Sequence, residues 1–246
     1  MHLMDSLRLV LAPPHPAGRP FLFGAALAVV AGLFFAHWLA WLGLVFGLFC
    51  LFFFRDPERV PPTRPGLVLA PADGKIVSVT LAVPPAELGL GPAPRWRVAT
   101  FLSVLNVHVN RVPADAMVTR IAYRHGRFVN ASLDKASEHN ERNALALRLP
   151  DGRDMAVVQI AGLIARRILC DVREGQTLRA GDRFGIIRFG SRTDLYLPEG
   201  VRPLVEIGQT MVGGETVIAA LHEAKDAARN ALEAGRAAEA SGPEAT

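Results

Sequence analysis

Arg188-Phe189-Gly190-Ser191-Arg192 lies between two copies of one short pattern, and that placement decides how the chain is read. The first copy runs Gly175-Gln176-Thr177-Leu178, Gly181-Asp182 and Phe184-Gly185-Ile186. The second runs Gly208-Gln209-Thr210-Met211, Gly214-Glu215 and Val217-Ile218, with the shared glycines offset by 33 positions. Two hairpin-like units flanking a short connection predict a compact β module that presents the connection at an exposed turn. The Gly190-Ser191 pair there permits a particular chemistry. Glycine leaves its carbonyl unhindered and accepts a strained backbone, so the Ser191 hydroxyl can attack the Gly190 carbonyl and turn the peptide into an ester. β-Elimination then breaks the chain and leaves a dehydroalanine, which tautomerises and hydrolyses to a pyruvoyl group. The competing reading is a turn whose serine hydrogen-bonds locally.

In lipoyl- and biotin-carrying modules such a turn bears a lysine, but the lysines here are Lys75, Lys135 and Lys225, none of them at the turn. Further segments favour the cleavage chemistry: FFRDPER at 53–59, PADGKI at 71–76, FLSVLNVHVNRVP at 101–113, NERN at 140–143, QIAGLIARRI at 159–168 and RFGSRTDLYLP at 188–198. In order and spacing these resemble the short-form, pyruvoyl-dependent phosphatidylserine decarboxylase proenzymes over about residues 50–220. The resemblance implies self-cleavage between Gly190 and Ser191 into a larger and a smaller chain. It also implies a pyruvoyl group made from Ser191 that forms a Schiff base with the substrate, and conversion of phosphatidylserine to phosphatidylethanolamine and carbon dioxide. No pyridoxal phosphate and no metal is then required, and a homodimer is in keeping with the family.

The rest of the composition agrees with an enzyme at a membrane. Residues 21–54 carry no formally charged side chain. As one helix these 34 residues would measure about 51 Å, against a hydrocarbon core of roughly 30 Å, so two helices broken near His37-Trp38 are predicted, with Gly32 and Gly43 loosening them. Arg8 and Arg19 precede the stretch and Arg55, Arg59 and Arg64 follow it, which places both ends on the cytoplasmic side of the cell membrane. A shallow hairpin and two full spans both satisfy that pattern. Cys50 and Cys170 lie in apolar runs, so a disulfide between them is not expected. The net charge of +4 is modest and the arginines are scattered, which argues against nucleic acid and for an anionic lipid surface.

Beyond the apolar segment, Pro57, Pro61, Pro62 and Pro65 mark a linker. Short apolar runs punctuated by glycine, proline and aspartate then predict a mainly β (α+β) catalytic domain with a lipoyl-like β module around the cleavage turn. The expected division is an N-terminal segment at 1–20, the hairpin at 21–54, a linker at 55–66, the decarboxylase domain at 67–219 and a helical or frayed tail at 220–246. Residues 131–145 read as a helical turn or an active-site loop. Because nucleophile and carbonyl both lie in the β domain, removing residues 1–54 is expected to weaken membrane retention more than self-cleavage.

Three more side chains are candidates. Asp73, in Pro71-Ala72-Asp73-Gly74, reads as a turn aspartate by residue chemistry. It also matches the family aspartate that orients the histidine activating the cleavage serine. His108 reads as a core histidine or, by the resemblance, as an acid/base in decarboxylation. Longer relatives carry a second histidine three positions on. Here that position is Arg111, which stays protonated and is a poor base. The maturation base is then His108, or His139 from another loop, or Asp73 acting through water. Arg111 is left to hold a substrate phosphate or carboxylate, or to make a structural ion pair. Two other classes remain open: a pyruvoyl decarboxylase of a soluble amino acid, and a membrane-anchored lipoyl-like binding module that stays one chain.

Overall fold

The computed structural model describes residues 12–126, 140–162, 167–188 and 190–221. His139 and the segment 222–246 lie outside the described residues. A 3-10 turn at Pro16–Gly18 leads into two antiparallel helices, α1 (Arg19–Phe35) and α2 (His37–Phe53). The break falls at Ala36, whose backbone is extended. Each arm has 17 residues, or about 26 Å of helix, slightly short of a hydrocarbon core of roughly 30 Å. With the preceding turn, Pro16–Phe35 is long and apolar enough to cross a membrane; α2 is shorter.

Large apolar side chains such as Phe23, Phe35, Trp38 and Trp41 face outward from the hairpin. An outward apolar surface of this kind marks a lipid-facing or partner-facing element. Gly32 and Gly43 do not loosen the helices, as expected from sequence. A methyl group on Gly32 would stand 2.1 Å from the Ala40 nitrogen, and one on Gly43 2.8 Å from the Val29 nitrogen. Both glycines therefore let the arms meet backbone to backbone, as small residues do where helices pack in lipid.

The strands that follow are β1 (Leu67–Leu69), β2 (Gly74–Ala82), β3 (Arg95–Leu102), β4 (Val109–Arg111), β5 (Ala116–Arg124), β6 (Arg142–Arg148), β7 (Asp154–Ala161), β8 (Ile168–Cys170), β9 (Thr177–Leu178), β10 (Arg183–Ile187), β11 (Ser191–Tyr196), β12 (Thr210–Met211) and β13 (Val217–Ala220). Eight of them form one antiparallel sheet in the order β12-β2-β3-β11-β7-β6-β5-β9. Two small sheets, β4-β10-β8 and β1-β13, complete the domain. Its core gathers Val98, Leu145, Leu147, Val157 and Leu195. β7 is buried along nearly its whole length, which explains why Met155–Ala161 reads as an unbroken apolar run interrupted only by Gln159.

The strands within each Gly-Gln-Thr copy do not pair with one another. β9 joins β5 and β10 joins β4 and β8, while β12 joins β2 and β13 joins β1. A second repeat explains this: Ala70-Pro71-Ala72-Asp73 recurs as Val112-Pro113-Ala114-Asp115. The Gly214 and Gly181 N–H groups donate to Ala70 and Val112, and the Gly208 and Gly175 N–H groups to Ile76 and Val118. The Gly213 N–H donates to Asp73 Oδ1 as the Ala180 N–H does to Asp115 Oδ1, each at 2.8 Å. Corresponding residues make corresponding bonds, so the domain is built around a quasi-twofold. Gly181 and Gly214 meet near it, where a methyl on Gly214 would lie 3.5 Å from the Gly181 Cα.

This topology overturns the expected exposed turn. β11 lies inside the large sheet, and Ser191 at its head is 0 % exposed. The hairpin also packs onto the β fold through Cys50, Phe53 and Phe54, against Val107, Val109 and Ile186.

Gly32→Leu should force the helices apart and lower the melting temperature in detergent, consistent with an overpacking cost of about 1–3 kcal/mol. Gly24→Leu, where a side chain meets nothing within 4 Å, should leave it unchanged.

Candidate active site

Ser191 is fixed by pairing on both sides, opposite Leu102 of β3 and Ala161 of β7. Its Oγ is buried and makes no hydrogen bond among the described residues. An unbonded buried hydroxyl costs about 1–3 kcal/mol, so the fold holds an unsatisfied hydroxyl next to the Gly190-Ser191 peptide. Gly190 has a φ of 72°, a left-handed conformation that a side chain would strain. Its carbonyl oxygen accepts the Gly162 N–H at 3.1 Å, and its own N–H points to His108 Nε2 at 3.3 Å. A donor on that oxygen polarises the carbonyl and meets the negative charge that develops there during attack.

His108 is 0 % exposed. Its Nδ1 lies 2.9 Å from the Asn106 carbonyl oxygen, so Nδ1 carries the proton and Nε2 presents its lone pair toward Gly190. The turn before it is locked, because Asn106 Oδ1 accepts from both the Ser103 N–H and the Ser103 hydroxyl. Phe53, the last residue of α2, stacks on the imidazole with ring centres 4.3 Å apart. Burial drives His108 down to about 4, partly opposed by the Asn106 carbonyl and assisted by the Arg55 charge. The imidazole is therefore neutral near pH 7. It is a base in its resting state and, once protonated, returns the proton readily.

Comparison with known proteins now gives this arrangement its context. A family model of phosphatidylserine decarboxylase matches residues 46–219. The chain belongs to the phosphatidylserine decarboxylase family. It is 74 % identical over 221 residues to a phosphatidylserine decarboxylase proenzyme of Granulibacter bethesdensis, covering 90 % of this chain and 91 % of that one. Proenzymes of the same description from Gluconacetobacter diazotrophicus and Gluconobacter oxydans are 68 % and 62 % identical, each over 90 % of this chain and 100 % of the relative. The family's activity is the conversion of phosphatidylserine to phosphatidylethanolamine, and the term proenzyme implies self-processing.

Within this chain the other expected site residues lie elsewhere. Asp73 is not brought to His108 or Ser191. Its carboxylate accepts from Arg59 and from the Gly213 N–H, each at 2.8 Å, in the same turn-capping geometry as Asp115. Burial raises its pKa, and the Arg59 charge opposes that rise. The Asn106 carbonyl, rather than Asp73, orients His108. The Arg111 guanidinium donates to Gly181 O, Pro57 O and Asp56 Oδ1, so the structure shows an ion pair where an anion-binding group was one of two expectations. Asp56 also accepts from Arg183 at 2.6 Å, and Glu58 from Arg183 at 3.2 Å. RDPER is thus a strap whose charges bind the end of the hairpin to Arg111, Arg183 and Asp73.

Sequence reasoning missed three features. Gly162, inside QIAGLIARRI, contributes only a backbone N–H, which no residue pattern announces. Arg188 was quoted within the cleavage motif but given no role. A buried amide chain runs from Asn143 Nδ2 to Gln159 Oε1 at 2.9 Å and from Gln159 Nε2 to Asn110 Oδ1 at 2.8 Å. Asn110 Nδ2 and Thr193 Oγ1 end unbonded, like Ser191 Oγ. The one available signal was polar residues inside apolar strands. Among the described residues no cluster of histidine, cysteine and carboxylate side chains gathers in a metal-binding arrangement.

Replacing Gly162 by proline removes the N–H on the Gly190 carbonyl and should slow self-cleavage by about 10²–10³, followed as loss of precursor on a denaturing gel. Deleting residues 1–54 strips Phe53 from His108. It should therefore slow cleavage about tenfold to a hundredfold, part of a general-base contribution of roughly 10²–10⁴, in contrast to the separation of roles expected from sequence. Phe53→Leu, which keeps an apolar cover, should cleave nearly normally.

Proposed function

We propose that the chain is cut between Gly190 and Ser191 and that the pyruvoyl group made from Ser191 serves the decarboxylation of phosphatidylserine at a membrane surface. The observation that carries this reading is the environment of one peptide bond. The Gly162 N–H is on its oxygen, the His108 imidazole is one hydrogen bond away, and an unbonded serine hydroxyl follows it. Those residues fit a group formed from Ser191 in place.

Maturation follows from the same atoms. His108 Nε2 takes the Ser191 hydroxyl proton as Oγ adds to the Gly190 carbonyl carbon, and the Gly162 N–H holds the oxygen as it becomes negative. The C–N bond breaks, His108 returns its proton to the departing nitrogen, and an ester joins Gly190 to the Ser191 side chain. Loss of the Ser191 Cα proton expels Gly190 as a carboxylate. The enamine left at position 191 tautomerises and loses ammonia to water. The resulting pyruvoyl group supplies an electron sink for the bond to the departing carboxylate. In turnover His108 is the residue placed to hand a proton to the carbon that loses carbon dioxide. Phe53 and its neighbours keep water from that proton.

The hairpin explains why a lipid fits better than a soluble amino acid. α1 and α2 return to the same side and bring Arg19 and Arg55 to one face, in keeping with a catalytic domain at the cytoplasmic surface. The mature enzyme is then two chains from one precursor, with phosphatidylserine and membrane lipid as its partners.

The mass of the denatured protein tests this directly. We expect a large chain ending at Gly190 and a small one that starts at position 191 and reacts with a carbonyl reagent. Ser191→Ala should remain one inactive chain. Cleaved His108→Ala should turn over at least about a hundredfold more slowly per pyruvoyl group, given an acid/base contribution of roughly 10²–10⁴. A single uncut chain with full activity would refute the reading.

A further inference from the structure

Arg188 stands two positions before the bond to be cut, at the exit of β10. Every other described arginine that is buried or half-buried finds an acceptor. Arg59, Arg95, Arg111, Arg142 and Arg192 pair with carboxylates, and Arg55 donates to the Phe52 and Leu105 carbonyls. Arg188 has none. Its Nε is buried without a hydrogen bond, and its guanidinium lies 5.5 Å from the ring centre of Phe21, in the first turns of α1. Beside it is a second arginine, since the Arg188 N–H donates to the Arg167 carbonyl at 3.2 Å. Burial and the Arg167 charge both lower the Arg188 pKa, and among the described residues no carboxylate offsets them. The nearby Glu141 carboxylate is engaged by the Tyr123 hydroxyl and the Ile168 N–H.

Two like charges side by side, one with a buried unbonded donor, call for an anion. Their location narrows its chemistry. They sit between the foot of an apolar hairpin and the residue that becomes the prosthetic group. A phosphatidylserine molecule with its acyl chains along the hairpin and its amine at position 191 would carry its phosphodiester only a serine side chain away from that amine. We propose that Arg188, with Arg167 beside it, holds the phosphodiester of the phosphatidylserine headgroup and so sets the enzyme's preference for a phospholipid over free serine. Arg188 thereby takes the anion-binding place that sequence had offered to Arg111. The site rests on the function proposed above and deepens it.

The test uses the full-length, self-cleaved protein, with turnover expressed per pyruvoyl group so that a maturation defect does not enter. Arg188→Gln should raise KM for phosphatidylserine in mixed micelles, and for soluble glycerophosphoserine, by about tenfold, with kcat within about twofold; one charge-assisted hydrogen-bonded contact accounts for that shift. Arg188→Lys should fall between the two. Inorganic phosphate should compete weakly with the wild type and not with Arg188→Gln. Phosphate binding combined with an unmoved KM would mean a free-anion site and would overturn the proposal, as would an equal KM rise in Arg188→Gln for serine lacking phosphate. If Arg188→Gln is not cleaved, Arg167→Gln carries the same comparison with a shift of about threefold. Absent turnover in the wild type would count against the proposed function; normal wild-type turnover with unchanged KM in the variants would count against Arg188 alone.

Discussion

Pairing on both sides of β11 is the constraint from which the site follows. A strand inside an antiparallel sheet cannot slide without losing both ladders, so Ser191 is held and the groups proposed to react with it must be arranged around it. β7 on one side ends at Ala161 and delivers the Gly162 N–H to the Gly190 oxygen. β3 on the other side ends at Leu102, and the turn that follows delivers His108. The left-handed Gly190 stands directly before the sheet, so a backbone conformation suited to glycine adjoins a residue paired on both sides.

Charge is spent on assembly more than on catalysis. Breaking a buried ion pair costs about 3–5 kcal/mol because the remaining partner is left uncompensated. Arg111 and Asp56, both almost wholly buried, form such a pair, and Arg183 extends it to Glu58. This strap seats Phe53 over His108, with Phe54 packed against Phe53, and that cover removes water from the imidazole. A neutral His108 is thus a consequence of how the hairpin is tied down. It is also the physical link between the apolar hairpin and the chemistry proposed for Gly190-Ser191.

Much of this was legible in the residues, and the rest was hidden for identifiable reasons. The β runs and the helical break next to His37 could be read because turn residues and apolar periodicity are local signals. The burial of Ser191 could not, since a turn motif does not reveal whether the strand after it lies at an edge or in the interior of a sheet. Gly32 and Gly43 were misread because helix propensity is local, whereas the contacts they permit belong to the opposite arm. The quasi-twofold was half visible. The Gly-Gln-Thr copies stood out, but their partners around Asp73 and Asp115 share only a Pro-Ala-Asp core. Arg111 showed its charge and not its partner, because Asp56 is far away in sequence.

Nitrogen-15 NMR of imidazole-labelled Ser191→Ala precursor, followed from pH 7.5 to 3.5, tests most directly whether the hairpin makes His108 a neutral base facing Gly190. The account requires a single tautomer with the proton on Nδ1, protonation only near pH 4, and a shift of that midpoint upward in Phe53→Ala. Because the folded imidazole resists a proton that the unfolded one accepts near 6.5, stability should fall as pH drops through that window, by about 3 kcal/mol for the depression to about 4. A His108 that protonates near 6.5, or that carries its proton on Nε2 at neutral pH, would contradict it.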